Sequence, residues 1–171
     1  MGSRCPVGWK LVLGGWVLAV GVLVPGAAGT GVAADAGVAV DAGQPEADLA
    51  YHGDALMSAG RVDLRFVPRN HGPAEVSDAT VRLRWSAALA DRQELPVGCA
   101  RSGERVVLCR TGALTAGEVG RPVELRVRLR EAPTEVLVEF DTVWGGGAVD
   151  RNRENDRQRV LVLDTGDTYY F

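Results

Sequence analysis

The sequence of 171 residues contains no isoleucine, one lysine, two histidines and three cysteines. Three cysteines and two histidines are too few to supply a closed zinc site with any residue to spare. We therefore expect neither a metal nor a cofactor. The formal net charge of −3 and the lack of a basic tract argue against a dedicated nucleic-acid-binding protein. The length suits one domain, and the 46% hydrophobic and 24% charged residues are typical of a globular protein.

The single lysine belongs to an N-terminal segment with the pattern of an export signal. Arg4 and Lys10 precede an uncharged apolar run over residues 11–24, and small residues follow up to Ala34. This order predicts a secretory signal peptide over residues 1–34 and a secreted or cell-surface location. The alternative is an uncleaved N-terminal segment that anchors the protein to a membrane, since the apolar stretch is just long enough to span one. Cleavage would lower the net charge from −3 to −5.

The cysteine count becomes even once the predicted signal peptide is removed. Cys5 leaves with it, and Cys99 and Cys109 remain. Two cysteines in an oxidising compartment are most simply a disulfide. A redox-active pair is the alternative, but such pairs usually have C-x-x-C spacing.

The remaining chain has the alternation of β-strands. Residues 35–47 are small, acidic and turn-prone, which predicts a flexible linker. Apolar and polar residues then alternate over residues 62–67, 81–86, 123–130, 136–141 and 160–163, with Gly- and Pro-containing turns between them. Such alternation predicts one all-β domain over residues 48–163, an antiparallel sandwich of about seven strands.

Several turns occur in an order that resembles a known family. Asn70-His71-Gly72-Pro73 ends one alternating strand, the two cysteines follow, and Leu114 to Glu118 form an L-x-x-G-E turn before the next long strand. In this order residues 48–163 resemble the conserved-repeat domain of bacterial secreted and surface proteins, called domain of unknown function eleven. The resemblance implies an immunoglobulin-like sandwich related to bacterial cell-adhesion domains.

Side chains that could support catalysis or metal binding are few. The only possible bases are His52 and His71, and no serine lies in a G-x-S-x-G elbow. We therefore expect no catalytic residue. Residues 150–156 place oxygen-bearing side chains at alternate positions, as a calcium loop does. An EF-hand would require Gly and Glu where Asn155 and Leu161 stand, so we interpret the segment as a polar turn.

Arginines on the polar faces of the predicted strands are the candidate binding residues. They are Arg82, Arg84, Arg126, Arg128 and Arg130. If their strands share a sheet, they form a basic face that could bind carboxylates or phosphates of a cell-wall polymer, or an acidic partner. The alternative is a solvated face on which Glu124, Glu139 and Asp141 pair with them across strands.

The tail, residues 164–171, ends in three aromatic residues that could dock to a partner or fold back onto the sandwich. The sequence as a whole predicts a non-enzymatic, exported module with a structural or adhesion-like binding role. The alternative is a small secreted hydrolase or a hydrolase inhibitor that uses the loop between Cys99 and Cys109. We expect a monomer with an envelope or protein partner, no nucleic-acid partner, and membrane contact only through an uncleaved N-terminus.

Overall fold

A computed structural model describes residues 43–171, so the predicted signal peptide and most of the predicted linker lie outside the described residues. No helix able to span a membrane occurs within that part of the chain. Its eleven strands are β1 (Glu46–Ala47), β2 (Leu49–Ser58), β3 (Arg61–Asn70), β4 (Thr80–Trp85), β5 (Cys99–Arg101), β6 (Val106–Arg110), β7 (Val123–Arg128), β8 (Glu135–Trp144), β9 (Val149–Asp150), β10 (Arg157–Leu163) and β11 (Thr168–Tyr170).

Nine of these strands form two antiparallel sheets. One sheet has the order β10-β8-β4-β6-β5, and the other has the order β11-β2-β3-β7. The two short strands β1 and β9 pair in parallel. The prediction of an all-β antiparallel sandwich is confirmed. The strand count exceeds the predicted seven because short strands such as β5 and β11 cannot be recognised in the sequence. Three residues are too few to show the alternation of a strand, and these strands are held by pairing to longer neighbours.

The core lies between the two sheets and is filled by the apolar residues of the alternating pattern. Phe66 from one sheet meets Phe140 from the other with ring centroids 5.6 Å apart. Tyr51 packs against Phe66 at 5.8 Å, and Trp85 is fully buried in the same cluster. Burial of these side chains stabilises the sandwich because apolar area is removed from water.

The turn that ends β3 owes its shape to a buried asparagine. The side-chain oxygen of Asn70 accepts a hydrogen bond from the backbone of Gly72 at 3.0 Å, and its amide nitrogen donates to the carbonyl of Ala74 at 2.7 Å. An Asn side chain that bonds to the backbone two residues on is the usual means of stabilising such a turn. The N-x-G-P signal in the sequence therefore marks a turn with a defined internal partner.

The aromatic tail is part of the sandwich, so the predicted domain end at residue 163 is too early. Residues 168–170 form β11 beside β2. Phe171 and Gly53 exchange two backbone hydrogen bonds of 3.0 Å, and the ring of Phe171 lies 5.0 Å from that of Phe140. A segment of three residues is too short for an alternating pattern to be recognised in the sequence. Its pairing with β2 identifies it as a strand, although Tyr170 is strongly exposed.

Candidate ligand-binding site

The predicted arginines are divided between the two sheets. Arg82 and Arg84 lie on β4 of the five-stranded sheet, whereas Arg126 and Arg128 lie on β7 of the four-stranded sheet. Arg130 follows the end of β7. The five therefore do not share one face, and the condition for a single basic surface is not met. Alternation assigns each arginine to the outside of its strand but contains no information on which sheet that strand joins.

The outer face of the five-stranded sheet carries paired charges. Arg82 contacts Asp141 at 2.7 Å, and Arg159 contacts Glu139 at 2.6 Å. Arg84 stands directly opposite Glu139 in the register of β4 and β8. Acids and bases thus alternate across neighbouring strands, as on an ordinary solvated face.

Arg130, beyond the end of β7, also has acidic neighbours. Its guanidinium lies 2.7 Å from the carboxylate of Glu104 and 3.4 Å from that of Asp91. Its charge is therefore neutralised locally by these two acids.

The outer face of the four-stranded sheet is a ladder of charged residues, in which a rung is a set of residues directly opposite one another on β2, β3 and β7. In one rung Arg65 lies between Asp54 and Glu124, at 4.0 and 3.4 Å. In the next, Asp63 of β3 forms an ion pair with Arg126. The pairing raises the pKa of the Arg126 guanidinium, mainly through the hydrogen bond to Asp63. Both rungs hold acids and bases together.

The third rung has no acid. It consists of Ser58, Arg61 and Arg128, with the two arginines directly opposite each other on β3 and β7. Among the described residues, none forms an ion pair with Arg61 or Arg128. Like charges directly opposite in an antiparallel pair are destabilising. A bound anion would therefore reduce the repulsion between Arg61 and Arg128.

A loop bonds to the edge of β7 beside this rung and contributes a third arginine. The side-chain amide of Gln93 donates to the carbonyl of Arg128 at 2.8 Å, and its oxygen accepts from the backbone nitrogen of Arg128 at 3.0 Å. Gln93 therefore bonds to the free edge of β7 as a strand would. Arg92, its neighbour, is exposed and lines the same cavity as Arg128.

The rung and the loop enclose a cleft of about 490 Å³, which we call the arginine cleft. Its lining residues are Arg61, Arg92, Gln93, Glu94, Arg126 and Arg128. Two of the six, Arg126 and Arg128, belong to the residues predicted from sequence. Arg61 could have been found from its outward position at the start of an alternating strand. Arg92 and Gln93 could not, because a loop has no period that places it against a strand.

The loop is held in turn by an arginine of the edge strand β5. The guanidinium of Arg101 donates to the carbonyls of Ala90 at 2.7 Å, Asp91 at 3.0 Å and Leu89 at 3.2 Å. The strand that carries it begins at Cys99, which forms a disulfide with Cys109 directly opposite on β6. The predicted disulfide thus fastens the element that supports the cleft loop, and it is consistent with an oxidising compartment.

Polar side chains of the segment over residues 150–156 bond to the backbone and to Asp48. The carboxylate of Asp150 accepts from the backbone of Leu49 at 2.8 Å and of Asn152 at 2.9 Å. Asp48 accepts from the side-chain amides of Asn152 and Asn155 at 3.2 and 2.7 Å. Within residues 43–171, no group of three or more acidic, histidine or cysteine side chains could hold a metal ion. The geometry is that of a polar turn tied to the start of β2.

Two titratable side chains lie inside the sandwich instead of in the cleft. Burial raises the pKa of the Asp156 carboxyl to about 6, although Arg153, 2.8 Å away, works in the opposite direction. Burial also raises the pKa of the Tyr51 phenol well above its ordinary range, and its hydroxyl shares a hydrogen bond of 2.5 Å with Thr142. Both groups are remote from solvent, so neither is placed to act on a ligand.

Comparison with known proteins identifies no family. No protein-family model matches the sequence, and no curated protein matches it. Among solved structures, this chain is similar to β-glucosidase 3B from Thermotoga neapolitana, solved in complex with α-D-glucose, with a TM-score of 0.44 and 13% identity. The match covers 73% of this chain and 17% of that one, so the chain spans about a sixth of the length of the glucosidase. A TM-score below 0.5 at this identity does not establish a common activity.

Proposed function

We propose that this protein is a non-enzymatic, exported binding module of the cell surface or the secreted fraction, and that the arginine cleft is its binding site. The observation that carries the proposal is the rung of Arg61 and Arg128, two like charges held opposite each other, neither of which forms an ion pair with a described residue. A rung of this kind opposes folding unless an anion compensates for it, whereas both neighbouring rungs contain their own acids.

The surrounding structure supports binding in preference to catalysis. Strand pairing and the amide of Gln93 fix the backbone beside Arg128, so the site is assembled before a ligand arrives. Guanidinium groups bind carboxylates and phosphates through paired hydrogen bonds, but they stay protonated and are poor proton-transfer groups. His52 and His71 are both exposed, and neither shares a hydrogen bond with a described serine side chain.

Export and the family resemblance give the proposal its setting. The predicted signal peptide and the disulfide between Cys99 and Cys109 both suit a protein that works outside the cytoplasm. The order of turns resembles domain of unknown function eleven, in which a surface-binding role is expected. We therefore place the ligand in the cell envelope and propose that it is anionic.

A sedimentation assay with cell-envelope fractions tests the proposed function. The purified protein should co-sediment with envelope material, and the bound fraction should fall as salt is raised, because exposed charge pairs are screened at high ionic strength. Absence of binding to every envelope fraction at low salt would contradict a binding role. A hydrolytic activity against the same fractions would favour the alternative of a secreted enzyme.

A further inference from the structure

We infer that the arginine cleft recognises a phosphate group carried on a polyol or sugar chain, an inference that rests on the proposed binding function. Arg61 and Arg128 are directly opposite on neighbouring strands, where side chains start about 5 Å apart. Arg92 approaches from the loop that Gln93 attaches to β7. Three arginines that form no ion pair with a described residue thus line the same cleft.

The number of donors favours phosphate over carboxylate. A carboxylate has two oxygens in one plane, and a single guanidinium can contact both in a bidentate pair. A phosphate group has tetrahedral oxygens that accept from several guanidiniums at once, in different directions. A cleft bounded by arginines from two strands and a loop matches the tetrahedral group better, because it offers guanidiniums from three separate backbone positions.

The remaining lining indicates that the phosphate is attached to a hydroxyl-bearing chain. The cleft volume of about 490 Å³ far exceeds a phosphate ion and lies in the range of small-molecule sites. Glu94 lines the cleft and has no ion pair with a described residue, so its carboxylate is free to accept from hydroxyl groups. Arg126 is occupied by Asp63, which makes that side of the cleft polar but nearly neutral. A strongly charged centre with a polar margin suits a phosphodiester flanked by polyol or sugar units.

Calorimetric titration with three probes tests the inference. The probes are inorganic phosphate, a soluble poly(glycerol phosphate), and polygalacturonate as a carboxylate polymer of similar charge density. The purified protein should bind poly(glycerol phosphate) at least about tenfold more tightly than polygalacturonate, and inorganic phosphate only weakly, since each added charge-assisted hydrogen bond strengthens binding.

Two double variants with the same change in charge assign the binding to the cleft. Arg61→Gln with Arg128→Gln should weaken poly(glycerol phosphate) binding by at least about tenfold. Arg82→Gln with Arg84→Gln, on the opposite sheet, should change it by less than about twofold. Because the first variant relieves a like-charge pair, its melting temperature should equal or exceed that of the parent, so loss of binding will not reflect unfolding.

The outcomes separate this inference from the proposed function. Equal affinity for polygalacturonate, or undiminished phosphate-polymer binding by the Arg61/Arg128 variant, overturns the inference. If that variant still sediments with envelope fractions, the protein is a binding module that uses another surface. If the parent protein binds no envelope fraction at all, the proposed function itself fails.

Discussion

Asp156 is fully buried and ionisable, and its environment makes stability depend on pH. Its carboxyl pKa of about 6 exceeds the ordinary 3.8, with burial the leading cause. The folded state therefore binds the proton more tightly than the unfolded state does. The stabilising contribution of the protonated form is fully present below pH 3.8 and is lost as the pH rises through 6.

Asp156→Asn removes this dependence. Relative to the variant, the parent protein should lose about 1–3 kcal/mol of unfolding free energy between pH 4 and pH 8. Arg153 keeps a partner in the variant, because it also contacts Asp141 at 2.9 Å. Urea denaturation at both pH values measures the difference. Parallel pH profiles for the two proteins would show that Asp156 titrates normally.

At the scale of the element, the last strand and the edge strand β5 have the clearest roles. Strand β11 covers the edge of β2 and delivers Phe171 to the ring of Phe140. Strand β5 is attached to β6 by the disulfide and holds the cleft loop through Arg101. Each consists of three residues, so each is held in place by contacts to other elements.

Removal of residues 169–171 tests the contribution of β11. Loss of the half-buried ring of Phe171 and of its two hydrogen bonds to Gly53 should lower the unfolding free energy by about 2–4 kcal/mol. Phe171→Ala should produce part of this loss. Tyr170→Ala is the control, because that side chain is 81% exposed and should change stability by less than about 0.5 kcal/mol. A truncated protein as stable as the parent would mean that the strand contributes nothing.

The link from β5 to the cleft predicts an effect of Arg101, which does not line the site. Arg101→Gln should weaken poly(glycerol phosphate) binding about threefold to tenfold, because the carbonyls of the loop lose their donor. Arg105→Gln is the matched control, since that exposed guanidinium donates to Ser86 instead. Calorimetry on both variants decides the matter, and equal affinities would show that the loop keeps its position without Arg101.

At the scale of the whole molecule, the sheets are built from segments distant in the chain. Strand β3 pairs with β7, and β4 pairs with β8, across about half of the domain. Such non-local pairing requires large loops to close before its contacts form. The sandwich therefore has the topology of a slowly folding protein.

Stopped-flow refolding from urea with the disulfide intact should give folding times between about a millisecond and a few seconds. Tryptophan fluorescence suits the measurement, because Trp85 is fully buried in the core. Folding within microseconds would contradict the dependence on long-range pairing.

Reduction of the disulfide between Cys99 and Cys109 should lower the free energy of unfolding by about 2–3 kcal/mol. The same fluorescence traces, recorded with and without reductant, measure the loss.

Much of the fold follows from the order of residues alone. Alternation in residues 62–67 and 81–86 decides which side chains face the core, because successive residues of a strand point to opposite sides. The two cysteines of the globular part and the N-x-G-P turn are equally local, and both have the expected structural roles. These features depend only on neighbours in the chain.

The tertiary structure alone decided which outward residues meet. Arg82 and Arg128 look alike in the sequence, yet one lies beside Asp141 and the other opposite Arg61 on a different sheet. Strand pairing between distant segments determines these neighbours. The alternation within one strand contains no information on which other strand it pairs with. The same reason places Gln93 against β7 and Phe171 against Phe140: both contacts join parts of the chain that no local pattern connects. The outside of each strand was therefore determined by sequence, and the composition of the cleft by sheet assembly.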